Sequence, residues 1–526
     1  MNGIKVVVLL LTISVLCVNG YYVWPKPSTI SQGAGSVGIN PSSLTITTNS
    51  SSSILQRAIT RYQKNLIFPM GVSVSSSPEP VTFTQLTINV VSSSEDLQLG
   101  VDESYSLSIA SGATSGSITA QTIYGAMRGL ETFSQLVDWS DNTTSYSINC
   151  LPTSISDVPR FPWRGFLMDT ARHYLHPSTL FRTIDALAYS KFNTLHWHAV
   201  DAESFPIVSD TYPLLSEKGS YAPTAIYSHE LIEAVVAYAK DRGIRVVPEF
   251  DMPGHAYSWG LGYPDLTVDC PEYEANINNI PLNPSLNSTY SMLASFIPEM
   301  AQLFTDDCFH IGGDEVITGC WEDNAEVNSW MQQNGFNGDA ALQYFEDQVA
   351  PIVQGANKNP VVWEDLFDNG IYLPSNYIVE VWSDQSTLQA LVEAGFRSLT
   401  AYGYYLNDQE PVPGDTVGEW VDTWQIMYGV DPLEGTSFTS SQKELVLGGE
   451  AAMWGEQVDS TNYDSRVWPR ACAISERLWS PENVVDIDDA TNRLIEHRCR
   501  IARRGVGAGP IAPDYCSLPY IPYVQI

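Results

Sequence analysis

The pattern of hydrophobic and polar positions changes near residue 160. Before that point, residues 82–91 alternate apolar and polar side chains, which predicts a strand. Residues 54–68 and 120–137 instead space their apolar side chains as amphipathic helices do. Serine-rich stretches between these segments are typical of loops. We therefore predict a small α+β domain over residues 21–158.

After residue 160, short β-rich runs alternate with helical stretches. The runs cover residues 164–169, 194–201, 245–251, 308–314, 361–365, 378–382, 396–401 and 445–454. Helical spacing separates several of them, as in 231–241, 340–354 and 387–395. Eight such alternations predict a (β/α)8 TIM barrel, which with a C-terminal tail would fill residues 159–526. Two prolines within 157–162 favour a domain boundary there.

The first twenty residues predict a secretory signal peptide. Lys5 precedes a short apolar run, and small residues end the segment near Gly20. No later stretch has 18 uninterrupted apolar residues, so we predict no membrane span. Sequons at Asn49, Asn142 and Asn287 predict N-glycosylation. Together these features favour the secretory route, ending in the lysosome or outside the cell.

Composition narrows the range of partners. Sixty acidic residues against 26 Lys and Arg give a net charge of −34, which repels nucleic acid and anionic lipid surfaces. Only 16% of residues are charged, yet there are 14 Trp and 27 Tyr. Such a surface suits neutral polar ligands such as sugars, but ordinary acidic solubility explains it equally well. Composition alone does not decide between these interpretations.

The cysteines exclude one kind of site. Seven remain after removal of the signal peptide, and no Cys-x-x-Cys pair occurs, so we predict no structural zinc site. Cys472 lies in a segment with the pattern of a buried helix, which favours a free thiol there.

In a barrel of this kind, reactive side chains lie where the strands end. The polar and aromatic residues at the eight predicted ends are Asp169, Arg172, His173, His196, His198, Asp201, Glu249, Asp251, His255, Asp314, Glu315, Trp363, Glu364, Asp365, Trp382, Asp384, Tyr404, Tyr405, Trp454 and Glu456. Any one of them could be a satisfied structural group. All eight ends point the same way, so together they predict a pocket.

The segment from His310 to Glu315 carries the clearest chemistry. Side chains alternate along a strand, so Asp314 and Glu315 cannot both point inward from regular β structure and should lie in the following loop. Two like charges this close raise the proton affinity of at least one. A protonated acid beside an ionised one suits glycoside cleavage. A cation-binding or helix-capping acidic pair remains an alternative.

Two further patterns have structural alternatives. His196 and His198, with Asp201 nearby, have the spacing of metal ligands, but nothing marks a third ligand and many acids compete for the imidazoles. We predict no metal and no cofactor. Tryptophans 363, 382 and 454 could be core residues, or they could form an apolar wall for a sugar face or methyl group.

Several long motifs resemble those of family 20 glycoside hydrolases, the β-N-acetylhexosaminidases, especially the eukaryotic lysosomal type. The motifs occupy residues 24–27, 131–136, 164–174, 192–198, 249–255, 310–316 and 452–456. They occur in the family's order and extend over nearly the whole mature chain.

This resemblance implies an exo-acting retaining glycosidase that removes terminal non-reducing β-linked N-acetylglucosamine or N-acetylgalactosamine from glycoproteins, glycolipids or oligosaccharides. The barrel would be the catalytic domain. Glu315 would be the general acid and then the base, and the nucleophile would be the substrate's own acetamido oxygen, which closes an oxazolinium ring. Asp314 would orient the acetamido N–H. Asp201 and His255 would form a support chain behind Glu315.

The resemblance also implies the residues that bind the sugar. Tyr405 would hydrogen-bond the acetamido carbonyl, and the three tryptophans would enclose its methyl group. Arg172 and Glu456 would hold sugar hydroxyls. Asn407 and Asp408 occupy the position where relatives distinguish charged substrates, and a carboxylate there predicts a preference for neutral sugars.

By the same resemblance, Cys270 would pair with Cys320 and Cys499 with Cys516. Cys150, Cys308 and Cys472 would then have no family partner. The resemblance further implies a homodimer.

Two other functions stay open at this point. The first is a non-catalytic glycan-binding or adhesion protein on the same scaffold. The second is a conventional retaining glycosidase with a carboxylate nucleophile, for instance Glu249 or Asp251.

Overall fold

The computed structural model describes residues 22–70, 82–407 and 423–518. The predicted signal peptide and Asp408 lie outside these ranges. Within them, no helix combines the length and apolar character needed to cross a bilayer.

The N-terminal part of the described chain forms one eight-stranded sheet. Its strands are β1 (Thr29–Ile39), β2 (Thr45–Thr48), β3 (Thr82–Phe83), β4 (Gln85–Val90), β5 (Tyr105–Ile109), β6 (Ser115–Ala120), β7 (Val137–Ser140) and β8 (Ser145–Asp157). The order is β2-β4-β6-β5-β8-β1-β3, and β7 pairs with β8. Burial alternates along β4 and β5, because one face of the sheet packs against helices.

Eight further strands close into a parallel barrel in chain order. They are β9 (Trp163–Asp169), β10 (Thr194–Val200), β11 (Arg245–Phe250), β12 (Cys308–His310), β13 (Asn359–Trp363), β14 (Ile378–Val381), β15 (Arg397–Thr400) and β16 (Val446–Met453), which pairs with β9. Almost every residue of these strands is buried, as expected when a ring of helices covers the barrel and side chains fill its interior.

The helices of the described residues belong to both parts. They are α1 (Ser53–Arg61), α2 (Ile123–Gln135), α3 (Pro177–Tyr189), α4 (Leu214–Gly219), α5 (His229–Lys240), α6 (Tyr257–Gly262), α7 (Asn287–Leu303), α8 (Thr318–Asp323), α9 (Ala325–Asn334), α10 (Gly338–Gly355), α11 (Asp365–Asp368), α12 (Gln385–Ala394), α13 (Trp424–Gly429), α14 (Ser440–Lys443), α15 (Tyr463–Val467), α16 (Arg470–Trp479) and α17 (Ile487–Arg503). A π-helical turn, Tyr62–Leu66, extends α1, and two 3-10 turns follow α6 at Pro264–Leu266 and Ile277–Asn279.

The predicted fold class is confirmed: a TIM-type barrel follows a separate N-terminal α+β unit. Each of the eight predicted runs overlaps one barrel strand. The fourth run is shorter than predicted, because β12 ends at His310 and the chain then turns through two glycines with positive φ. The domain boundary near residue 158 stays a prediction; β8 ends at Asp157 and β9 begins at Trp163.

Buried ion pairs join the N-terminal sheet to the barrel. Glu103, just before β5, accepts hydrogen bonds from Arg164 of β9 at 2.6 Å and Arg128 of α2 at 2.9 Å. Lys191 lies 2.9 Å from Asp157 at the end of β8. All five side chains are almost fully buried. A charge without its partner would be costly here, so these pairs fix how the two parts dock.

Five cysteines of the described residues are disulfide-bonded and two are free. The structure contains the disulfides Cys270–Cys320 and Cys499–Cys516, which are the pairs that the resemblance implies. Cys308 and Cys472 are free and buried. Cys150 is disulfide-bonded as well.

The interface pairs lead to a stability prediction. Glu103→Gln should lower the free energy of unfolding by about 3–5 kcal/mol, because it leaves two buried guanidinium groups without a counter-charge. Urea unfolding followed by tryptophan fluorescence measures this loss. Glu482→Gln is the control, since that carboxylate is exposed and 3.8 Å from Arg160, and it should change stability by less than about 1 kcal/mol. Equal effects of the two variants would contradict the prediction.

Candidate active site

A pocket of about 460 Å³ opens at the carboxyl ends of the barrel strands. Its lining contains ten of the eleven side chains predicted to be catalytic or to bind substrate, together with Gly403. The ten are Arg172, His255, Asp314, Glu315, Trp363, Trp382, Tyr405, Asn407, Trp454 and Glu456. The eleventh, Asp201, lies behind His255 and is fully buried.

The two adjacent acids diverge because of the turn that precedes them. Gly312 and Gly313 adopt φ of +72° and +96°, and a Cβ on Gly312 would lie 1.7 Å from Oδ1 of Asp251. Only glycine permits this approach. Glu315 itself has φ of +45°, a conformation that costs energy in a non-glycine residue and is concentrated at functional sites. As a result the side chain of Asp314 is 15% exposed and that of Glu315 is 61% exposed.

The acids also differ in proton affinity. Burial raises the pKa of Asp314 to about 6, and the like charges of Glu249 and Asp365 add to this, although His255 opposes them. A contact with His255 lowers the pKa of Glu315. The sequence predicted a raised pKa in one member of the pair. That member is Asp314, and Glu315 is ionised first as pH rises.

His255 links the pair to the barrel. Its Nδ1 lies 3.1 Å from Oδ1 of Asp201, and its Nε2 lies 3.3 Å from Oε2 of Glu315 and 3.6 Å from Oδ2 of Asp314. Burial disfavours charge on His255, but Asp201 and Asp314 raise its pKa well above the usual range. The imidazolium is therefore positioned to hold both carboxyl groups.

Arg172 is held rigidly beside His255, with 3.4 Å between its Nη2 and Nδ1 of the imidazole. Its Nη2 lies 2.7 Å from Asp201, its Nη1 3.1 Å from Asp169 and its Nε 3.3 Å from Glu203. The guanidinium carbon also lies 4.9 Å from the ring centre of Trp454. With its side chain only 7% exposed, Arg172 presents a fixed edge suited to neighbouring oxygens of a ligand.

Three indoles form the apolar wall. The ring centres of Trp363 and Trp454 are 5.9 Å apart. Hydrogen bonds from the indole N–H groups orient two of the rings. Trp363 donates to Glu249 at 2.7 Å, and Trp382 donates to Asp365 at 2.8 Å. The wall therefore combines an apolar face with a fixed orientation, which suits a methyl group or a sugar face.

Asp365 has a site role that the sequence reasoning did not assign. One oxygen accepts the backbone N–H of Glu315 at 3.0 Å, and the other accepts the indole N–H of Trp382. Its position two residues after the end of β13 was the available signal. By contrast, two residues at predicted strand ends serve the scaffold: Asp384 caps α12, and Tyr404 is buried and bonds the carbonyl of Val430.

The histidine motif pairs with acids. His196, Glu249 and His310 each place one possible ligand atom within 4.8 Å of the others. His198 lies 2.5 Å from Glu249 and 2.9 Å from Asp201. These distances are explained by hydrogen bonding between imidazole and carboxylate. The expectation that no metal binds stays a prediction.

The chain matches known proteins along most of its length. Residues 161–482 match the family model described as glycosyl hydrolase family 20, catalytic domain, and residues 23–136 match one described as beta-acetyl hexosaminidase like. Beta-hexosaminidase subunit A1 of Dictyostelium discoideum is 45% identical over 98% of this chain and 95% of its own length. Human beta-hexosaminidase subunit beta is 39% identical over 95% of this chain and 90% of its own.

A solved structure extends the likeness to three dimensions. The chitobiase of Flavobacterium johnsoniae superposes with a TM-score of 0.81 and 29% identity, covering 92% of this chain and 73% of that one. The catalytic-domain model alone covers more than half of the sequence. This chain therefore belongs to glycosyl hydrolase family 20.

Proposed function

We propose that this protein is an exo-acting β-N-acetylhexosaminidase. It removes terminal non-reducing β-linked N-acetylglucosamine or N-acetylgalactosamine from glycoconjugates with retention of configuration. The observation that carries the proposal is the pocket itself, in which a carboxyl pair faces a three-indole wall and Tyr405. That arrangement suits one sugar bearing an acetamido group.

In the proposed reaction the substrate supplies the nucleophile. The acetamido oxygen attacks the anomeric carbon and forms an oxazolinium ring, while the bond to the leaving oxygen breaks. Glu315 protonates that leaving oxygen and then activates the water that opens the ring. Its exposed carboxyl group suits this role, because both the leaving group and water must reach it.

Asp314 is suited to hold the acetamido N–H and to stabilise the positive charge that develops on the nitrogen. Its proton must leave for this role, and Glu315 must gain one. A bound sugar favours that exchange, since the N–H would stabilise ionised Asp314 and the sugar would cover Glu315 and raise the pKa of its carboxyl group. His255 lies close enough to both groups to support either arrangement.

The remaining lining residues suit the rest of the sugar. Tyr405 would donate to the acetamido carbonyl, while Trp363, Trp382 and Trp454 enclose the methyl group. Arg172, Glu456 and Asn407 would hold hydroxyl groups. A preference for neutral sugars, which depends on Asp408, stays a prediction because that residue lies outside the described ranges.

The two other candidate functions have less support. Glu249 and Asp251 are at most 1% exposed and do not line the pocket, so neither has a path to an anomeric carbon as a nucleophile. A protein that only binds glycans would not need the acid pair, the fixed arginine and the acetamido wall together.

We also propose a homodimer and an acidic, lysosomal place of action, with secretion as the other possible outcome. The family resemblance supports the dimer, and the proton affinities of the acid pair favour an acidic compartment.

Light scattering on the purified glycoprotein tests the homodimer. A mass of two chains is expected, and a single-chain mass at all concentrations would overturn it.

Glu315→Gln tests the assignment of the general acid. We expect kcat on an aryl N-acetylglucosaminide to fall on the order of 10³-fold, because an amide can neither donate the proton nor activate water. Thermal unfolding should be unchanged. Glu322→Gln, which alters an exposed carboxylate on α8, is the control and should retain activity. Near-normal activity in the Glu315 variant would refute the assignment.

The pH dependence tests the acid pair. The reaction needs Asp314 and Glu315 to share one proton. They do so at pH values above the lowered pKa of Glu315 and below the pKa of about 6 at Asp314. Because kcat/KM reports the free enzyme, it should fall as pH rises through about 6 and be highest on the acidic side. A pH–rate profile on both aryl N-acetylhexosaminides measures this. An optimum above neutral pH would contradict it.

A further inference from the structure

A chain of alternating carboxylates and imidazoles extends from the barrel interior to the proposed acid. Its members in order are Glu450, His196, Glu249, His198, Asp201, His255 and Glu315, and the successive N–O distances are 3.2, 3.1, 2.5, 2.9, 3.1 and 3.3 Å. Every member except Glu315 is at least 98% buried. The four members from Glu450 to His198 do not line the pocket, and the proposed mechanism does not use them.

Glu249 is the branch point of this chain. One oxygen, Oε2, faces His196 and His198. The other, Oε1, accepts the indole N–H of Trp363 at 2.7 Å and lies 3.2 Å from His310. One buried carboxylate therefore contacts both the chain that leads to Glu315 and the indole wall of the pocket.

We propose that Glu249 is a positioning residue that couples the acetamido wall to the acid pair. It would hold the plane of Trp363 through Oε1 and the His198–Asp201–His255 chain through Oε2. The inference rests on the proposed hexosaminidase function. It assigns Glu249 no contact with substrate, in keeping with its complete burial.

The charge of Glu249 gives this role a measurable consequence. The titratable groups that face it are His196 and His198 on β10, His310 on β12, and Asp251, Asp314 and Glu380 from the neighbouring segments. Burial disfavours ionisation of Glu249, but the three imidazoles hold its pKa well below the usual range. Its negative charge contributes to the raised pKa of Asp314, and oxygens of the two carboxyl groups lie within 4.8 Å.

Glu249→Gln removes the charge and preserves the shape. In the variant the amide NH2 would take the place of Oε2 and face an imidazole N–H. Both groups are donors, so the hydrogen bond between Glu249 and the rest of the chain would be lost. We expect kcat to fall on the order of 100-fold. We also expect a shift in the alkaline limb, the part of the pH profile in which kcat/KM falls as pH rises. In the wild type this fall is expected near pH 6, and in the variant it should occur about one pH unit lower, because a like charge near Asp314 is gone.

Glu380→Gln is the matched control. Glu380 is equally buried and lies 3.7 Å from both His196 and His310. Burial and the neighbouring Glu450 raise the pKa of Glu380 well above its usual range, so the substitution exchanges one neutral group for another. This variant should leave the limb in place.

Glu249→Asp separates the effect of the negative charge from the effect of side-chain length. It keeps the negative charge, so the limb should stay near the wild-type position. Its shorter side chain cannot hold Trp363, so a thiazoline analogue of the oxazolinium intermediate should bind on the order of 10-fold more weakly. If Glu249→Gln fails to fold, this variant decides alone, and wild-type thiazoline affinity would overturn the proposal.

The wild-type enzyme, measured in parallel, distinguishes the two levels of inference. A wild type without activity on aryl N-acetylhexosaminides would refute the proposed function. If the wild type is active but the alkaline limb of the kcat/KM profile shifts equally in Glu249→Gln and Glu380→Gln, or in neither variant, only the role of Glu249 would be refuted.

Discussion

The site depends on the pairing of buried carboxylates with buried imidazoles inside the barrel. An ionised carboxylate or imidazolium alone in this interior would be strongly unfavourable. Asp201 between His198 and His255, and Glu249 between His196 and His198, are each stabilised because imidazoles with raised pKa values contact them. Because parallel strands fix the spacing of these side chains, the barrel can hold a polar interior rigidly enough to place groups at its rim.

A second constraint acts where this interior meets solvent. Neighbouring carboxyl groups on one chain must point apart if they are to do different chemistry. The turn at Gly312 and Gly313, pressed against Asp251, provides this divergence, and Asp365 holds the backbone of Glu315 from the other side. One acid is thereby kept in the low-dielectric interior and the other at the surface, so their proton affinities differ although the residues are adjacent.

Periodicity and strand-end chemistry predicted the eight strands and nine of the eleven residues that line the pocket, whereas Asn407 came from the family resemblance. This worked because a parallel barrel brings every strand's carboxyl end to one face, so that sequence position determines spatial position. The partners of each acid could not be predicted in this way. Asp365 and Glu249 were visible as strand-end acids, yet their contacts with Trp382 and Trp363 depend on side-chain orientation across strands. The lowered pKa of Glu315 likewise depends on its tertiary contact with His255 and on the nearby charge of Arg172.

The excess of acidic residues has two different physical meanings in this protein. The acids of the barrel interior are matched by histidine and arginine, and their ionisation is set by contacts that solvent does not reach. Most of the net charge of −34 must therefore come from surface carboxylates. Their mutual repulsion weakens as they become protonated at acidic pH. Below about pH 6 the acid pair also retains the proton that catalysis requires. A fall in pH thus weakens the repulsion between surface carboxylates and also favours the active protonation state of the acid pair. The two effects arise from separate sets of residues.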